Sequence, residues 1–148
     1  MKILVQRVKS ARVEINQRII SQTNQGYLLL VSVDQGDTFE TVMKMASKVL
    51  KLRIMADQHK KMNLSIIDTQ GEILIVSQFT LSADARQNRP SFIRAAESKK
   101  AKKLFDHFAQ ELKQQIKIVK KGSFGKYMQV YIQNDGPVTI WLDSEVIL

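Results

Sequence analysis

The chain has no cysteine, which removes disulfides, thiolate nucleophiles and Cys-based zinc sites together. It has only two histidines, His59 and His107, so a His-rich metal site within one chain is not expected, and neither a metal nor a cofactor is. With two prolines, six glycines and no Ser- or Gln-rich tract there is no obvious linker, and no internal repeat stands out. Also missing is any run of the roughly 18–20 apolar residues that a membrane span needs. The opening stretch Met1-Lys2-Ile3-Leu4-Val5-Gln6-Arg7-Val8 is too short an apolar run for a signal sequence, so a soluble, non-secreted protein with no membrane partner is expected.

What remains is 148 residues, 44% of them hydrophobic, enough for one well-packed core and too few for two, so residues 1–148 are read as one domain. The formal charge of +9 is unevenly spread. Between residues 99 and 126 nine lysines (99, 100, 102, 103, 113, 117, 120, 121 and 126) face only Asp106 and Glu111. Such a run is either a solvated helix face or a surface that tracks phosphates, and charge alone does not decide between them.

Apolar periodicity gives the coarse order of elements. Ile3–Val8 and Arg12–Ile15 read as strands, and a turn at Asn16-Gln17 joins them to Arg18-Ile19-Ile20 in a hairpin with one wet face. Tyr27–Val33 and Glu72–Ser77 are apolar on both faces, as central strands are. Asp37 followed by Glu40 resembles an N-cap and its partner, opening a helix over about residues 38–52. A second amphipathic helix buries Ala101, Leu104, Phe105, Phe108 and Leu112 and carries the lysines on its other side. Strand-like segments at 116–119, 127–132 and 138–142 finish the chain. Strands, helix, strand, helix, strands make an α+β domain with a mixed, largely antiparallel sheet.

Two segments place polar or backbone-special residues where a buried strand ends. In Ser77-Gln78-Phe79-Thr80-Leu81 an Ile-Leu-Ile-Val strand passes abruptly into hydrogen-bonding side chains, either as a satisfied strand end or as the edge of an active site. A nucleophilic Ser or Thr needs an adjacent base, and the segment holds none. Hydrolysis there would rely on N–H groups arranged around a developing oxyanion, which suffices for an activated bond such as an aminoacyl ester on RNA. In Asn134-Asp135-Gly136-Pro137-Val138-Thr139, Asp135-Gly136-Pro137 is read as a link between two strands, either a generic tight turn or a cis Gly-Pro bond.

Together with Gln6-Arg7-Val8, Lys61-Met62-Asn63-Leu64 and Asn88-Arg89-Pro90-Ser91-Phe92, these segments resemble, in order along essentially the whole chain, the D-aminoacyl-tRNA deacylase family, also called D-tyrosyl-tRNA deacylase. The resemblance implies a cytoplasmic homodimer with a layered β/β/α fold that hydrolyses the ester between a D-amino acid and the 3′ end of tRNA. It implies a composite site in which Ser77, Gln78, Phe79 and Thr80 of one subunit face Gly136 and Pro137 of the other, with a cis Gly-Pro that reads chirality. Where the family often carries a longer loop, this chain has only Ser82-Ala83-Asp84-Ala85-Arg86-Gln87.

On that reading the Gly136 and Pro137 carbonyls hold the amino group and exclude an L-substituent, and glycine on tRNA, having no substituent, passes and is also hydrolysed. Arg7 either locks their segment or is an ordinary strand charge. N–H groups near Phe79 and Thr80 are the oxyanion donors, and Thr80 is open to a nucleophilic or an orienting role. Phe124 either stacks on the terminal adenine or packs in the core. Lys99, Lys102, Lys103, Lys121 and Lys126 are the candidate contacts to tRNA phosphates. The competing functions are a non-enzymatic RNA-binding module and a different acyl or peptidyl-tRNA hydrolase.

Overall fold

A long strand organises the molecule, whose computed structural model describes residues 1–148. β1 (Lys2–Ile15) runs without a break through both strand segments expected from the sequence. At Asn16 and Gln17, both at positive φ (48° and 64°), the chain reverses in a tight hairpin turn. It returns along β1 in two pieces, β2 (Arg18–Thr23) and β3 (Gly26–Ser32). β8 (Gln129–Asp143) covers the other edge of β1, also antiparallel. Beyond β3 lie β6 (Glu72–Ser77) and β7 (Val119–Lys121), both parallel to their neighbours, so the sheet is mixed in the order β2-β1-β3-β6-β7 with β8 on β1. Each parallel crossover holds a helix, α1 (Phe39–Leu50) or α2 (Ser98–Lys113). The hairpin of β4 (Met55–Ala56) and β5 (Met62–Leu64) and a last short helix, α3 (Ser144–Ile147), complete the α+β fold.

Strand alternation builds two cores. Ile3, Val5, Tyr27, Leu29, Val31, Ile73 and Ile75 point toward α1 and α2 and pack with Val42, Met45, Val49, Phe105, Phe108 and Leu112. Leu28, Leu74 and Val76, the intervening residues, point the other way and join Val8, Ala11 and Val13 under Met128 and Val130. β1 reaches both because its register with β8 shifts between Gln6 and Val8 and again between Val8 and Ser10. The first bulges β8 and leaves β1 in regular alternation through Val8, whereas the second places one extra residue in β1, so that Ala11 and Val13 occupy the face of Val8 rather than that of Ile3 and Val5. The near-continuous apolar runs of β3 and β6 follow from this burial on both faces.

Two expectations change. The N-cap of α1 is Thr38, not Asp37: Thr38 and Thr41 form a reciprocal capping box with Oγ1 and N–H groups 3.2 Å apart. Asp37 is buried instead, accepting from the Met1 ammonium at 2.6 Å and the Asp34 N–H at 2.6 Å. The Asp135-Gly136-Pro137 segment is also no turn between two strands. It lies inside β8, where Asn134 pairs with Val8 and Thr139 with Gln6, and it bulges out of register between them.

Candidate functional site

A cleft of about 740 Å³ opens where the parallel strands β3 and β6 end, the place where open parallel sheets leave room for ligands. Val31, Ser32 and Val33 line it from β3 and just beyond, Val76 and Ser77 from β6, and Phe105 from α2. Gln78, Phe79 and Thr80 form its rim, and Phe124, Gly125, Lys126 and Tyr127 stand across from them. The four residues singled out from the strand end, together with Phe124 and Lys126, therefore meet in one cleft.

The segment after β6 leaves extended structure at once. Gln78 N–H donates to the Val31 carbonyl at 2.7 Å, and Phe79–Ser82 then form one 3-10 turn, whose first bond runs from Leu81 N–H to the Gln78 carbonyl at 3.2 Å. The Phe79 and Thr80 N–H groups precede that bond. Ser77 and Gln78 are half-buried, whereas Phe79 is 57% exposed, its ring edge-on to Phe92 at 5.0 Å. The Gln78 amide donates to Thr80 Oγ1. No carboxylate and no histidine lines the cleft, and Lys126 is its one charged residue. His59 lies in the β4–β5 loop with its N–H on Asp57, and His107 sits on α2 beside Phe39 and Glu111.

With no base in reach, Thr80 cannot be activated by a side chain of its own chain. For the hydrolysis that the sequence resemblance implies, Thr80→Ala is therefore expected to lower kcat by less than about tenfold, the range of one lost hydrogen bond. A loss beyond about 100-fold in single-turnover hydrolysis would restore the nucleophile.

The second segment is not part of this cleft. Gly136-Pro137 is a cis peptide, exposed on β8, and Gly136 has φ +124°. Arg7, its side chain 11% exposed, holds the segment from behind. Its Nε donates to the Asp135 carbonyl at 3.2 Å and lies 3.2 Å from Asp135 Oδ2, and one terminal nitrogen donates to the Ile54 carbonyl at 2.7 Å. Arg7 thus fastens β8 to the residue that leads into β4. One chain alone leaves the two segments on separate surfaces.

The lysines differ in their surroundings. Lys102 and Lys121 both bond Asp106 at 2.7 Å. Burial raises that carboxyl, but the two hydrogen bonds outweigh it and hold Asp106 below the usual range. Lys103 lies over the Phe39 ring at 5.1 Å, and Lys99 is exposed at the start of α2. Phe124 is half-buried, tilted against Phe105 at 5.7 Å, while Tyr127, read from the sequence only as a strand residue, is 85% exposed at the cleft mouth. The sequence reading also missed Ser32, Asp34 and Ser82, buried polar residues behind the rim; the first two end an apolar run, but nothing local marks their burial or links them to Ser82.

The model of the family D-Tyr-tRNA(Tyr) deacylase matches residues 4–143. A D-aminoacyl-tRNA deacylase of Thermosipho melanesiensis is 46% identical over 149 residues, covering 99% of each chain. Another, of Methylacidiphilum infernorum, is 49% identical over 140 residues, covering 94% of this chain and 97% of that one. Among solved structures, one described as c-Myc DNA Unwinding Element Binding Protein superposes with a TM-score of 0.93 at 40% identity, covering 97% of this chain and 98% of that one.

Proposed function

The chain belongs to the D-Tyr-tRNA(Tyr) deacylase family and hydrolyses the ester of D-aminoacyl-tRNA to free amino acid and tRNA, a chiral proofreading step in translation, and from this premise we propose that the cleft at the ends of β3 and β6 is where the ester is cut. The observation that carries this reading is the Phe79–Ser82 turn at the rim of a cleft without acid or base. A water adds to the ester carbonyl, and the oxyanion formed is met by the Phe79 and Thr80 N–H groups. The bond to the ribose oxygen then breaks, that oxygen takes one proton of the water, and the amino acid leaves as a carboxylate, the other proton passing to solvent. The neighbouring ribose hydroxyl of the tRNA orients the water. Ser77 and Gln78 shape the floor, and Thr80, tied to Gln78, orients rather than attacks.

Chirality is read by a second copy of the chain. Its Gly136 and Pro137 carbonyls face the cleft, hold the substrate amino group and leave no space for an L-substituent, while the side chain points outward and is not selected by size. Glycyl-tRNA passes, having no substituent to reject. A homodimer is supported by β8 itself, which has a strand partner on one edge only and exposes Tyr131, Ile132 and Trp141 by 40–48%. Phe124 and Lys126 meet the 3′ end of the tRNA, and Lys99 and Lys103, with Lys102 and Lys121 once Asp106 is displaced, meet its phosphates. The cytoplasm is the compartment proposed, and no helix is long and apolar enough to cross a membrane.

The test compares D-Tyr-tRNA with L-Tyr-tRNA: the D-form is consumed and the L-form left intact, and equal rates would sink the chirality assignment. Affinity for deacylated tRNA is expected to fall steeply with salt, log K against log [salt] sloping by about −0.9 for each phosphate neutralised on a duplex. A flat salt profile would remove the lysines from the interface.

A further inference from the structure

Behind the rim of the cleft lies a buried polar cluster that takes no part in the chemistry proposed above. Ser82, 1% exposed, ends the Phe79–Ser82 turn and donates its hydroxyl proton to the Asp34 carboxylate. Ser32, also 1% exposed, closes β3 with its Oγ 2.6 Å from Ser82 Oγ and 3.4 Å from the Phe79 carbonyl oxygen. With the Ser82 proton committed to Asp34, the single Ser32 proton is divided between Ser82 Oγ and the Phe79 carbonyl. Asp34 also accepts from Lys2, whose ammonium lies 3.6 Å from Asp143, and the Met1 ammonium stands 3.5 Å away. Burial raises the Asp34 carboxyl, but the bonds from Lys2 and Ser82 and the two nearby ammonium groups outweigh it, so Asp34 stays ionised and acts only as an acceptor.

We propose that Ser82, Asp34 and Ser32 are positioning residues for ester hydrolysis, a buried clamp that fixes the Phe79–Thr80 peptide plane and so aims the Thr80 N–H into the cleft. This rests on the reading that the turn donates to the oxyanion. A trans peptide is planar, with its carbonyl and its N–H pointing in opposite directions. A hydroxyl fixed behind the Phe79 carbonyl therefore sets where the Thr80 N–H points. The turn is held at both ends by the same strand: at the front, Gln78 N–H bonds the Val31 carbonyl, and at the back, Ser82 bonds Ser32 and, just past β3, Asp34. An oxyanion donor works only within about 2.7–3.1 Å of the developing charge, and displacement by about 1 Å costs on the order of 100-fold. A buried ionic cluster of this kind contributes little net stability compared with apolar packing. Fully partnered, however, it allows one geometry, which is what a main-chain donor requires.

The variant Ser82→Ala deletes the hydroxyl and adds no volume. In single-turnover hydrolysis of D-Tyr-tRNA at saturating enzyme its rate is expected to fall by about 10–30-fold, a fraction of the full misplacement penalty. Affinity for an amide-linked, non-hydrolysable D-tyrosyl-adenosine, and for deacylated tRNA, stays within about twofold, since neither needs the oxyanion donor. A rate within about twofold of wild type, or binding that weakens in parallel with the rate, would overturn the proposal. Ser32→Ala removes the hydroxyl that touches the Phe79 carbonyl and is expected to show the same selective loss, about 10–30-fold; if Ser82→Ala does not fold, an unchanged Ser32→Ala rate overturns the proposal by itself. Thr80→Pro, which removes the N–H outright, separates this inference from the reading beneath it. An active Thr80→Pro enzyme refutes the oxyanion site itself, whereas an inactive one beside a fully active Ser82→Ala refutes only the clamp.

Discussion

Gly136→Ala is expected to lower kcat/KM for D-Tyr-tRNA by about 100-fold or more, equivalent to at least about 2.7 kcal/mol of transition-state stabilisation. A Cβ built on Gly136 comes within 2.7 Å of Val138 Cγ2, 3.0 Å of a terminal nitrogen of Arg7 and 3.1 Å of the Val138 nitrogen. The backbone stands at φ +124°, which L-residues rarely adopt. The Val138 methyl and the Arg7 tip must move and the segment must twist, so both carbonyls proposed to hold the substrate amino group shift together. Strain of this kind costs on the order of 1–3 kcal/mol, which a domain of this size survives. The protein is therefore expected to remain folded by circular dichroism while losing activity. Wild-type kinetics in a folded Gly136→Ala protein would separate the segment from the reaction.

Arg7→Lys is the second large effect, and it shows why charge alone is not what position 7 supplies. The guanidinium reaches the Asp135 carbonyl and carboxylate through Nε and the Ile54 carbonyl through a second nitrogen, three acceptors on two distant stretches of chain. An ammonium is a point donor on a flexible stem and cannot span that fork. At least one acceptor in this part-buried site loses its partner, at a cost of about 2–3 kcal/mol. The expected outcome is a lower denaturant midpoint, a fall in D-Tyr-tRNA hydrolysis of about 30-fold, and measurable hydrolysis of L-Tyr-tRNA as the segment gains freedom. Equal stability and unchanged D/L discrimination in Arg7→Lys would mean that the segment is held by β8 pairing alone.

Much of this was legible in the residues, for reasons that separate the successes from the misses. β3 and β6 announce themselves because both faces are buried, and the lysine face of α2 because 3.6-residue periodicity divides apolar from charged positions. Ser77–Thr80 stood out by breaking an apolar run, and the structure places Phe124 and Lys126 opposite. Local pattern failed where long-range contacts decide. Asp37 has every local mark of an N-cap, but a charge 36 residues away takes its carboxylate, and Thr38 caps the helix. Asn134–Thr139 reads as a turn because glycine and proline usually punctuate, yet pairing with β1 carries β8 through it. Ser32, Asp34 and Ser82 were unreadable for the same reason, since their partners lie 32 to 50 residues apart.

The loop beyond the rim is closed at its neck by two backbone bonds between Asp84 and Ser91, at 2.8 and 2.9 Å, while Phe92 beyond that neck stays edge-on to Phe79. Everything from Ala85 to Pro90 hangs outside a latch that already fixes its ends. Doubling the length of such a loop adds only about 0.6 kcal/mol of closure entropy. Its tip is therefore a place where chain length can drift between relatives, or where a fluorophore-bearing peptide can be spliced in, close to the rim of the cleft yet held apart from it by the latch.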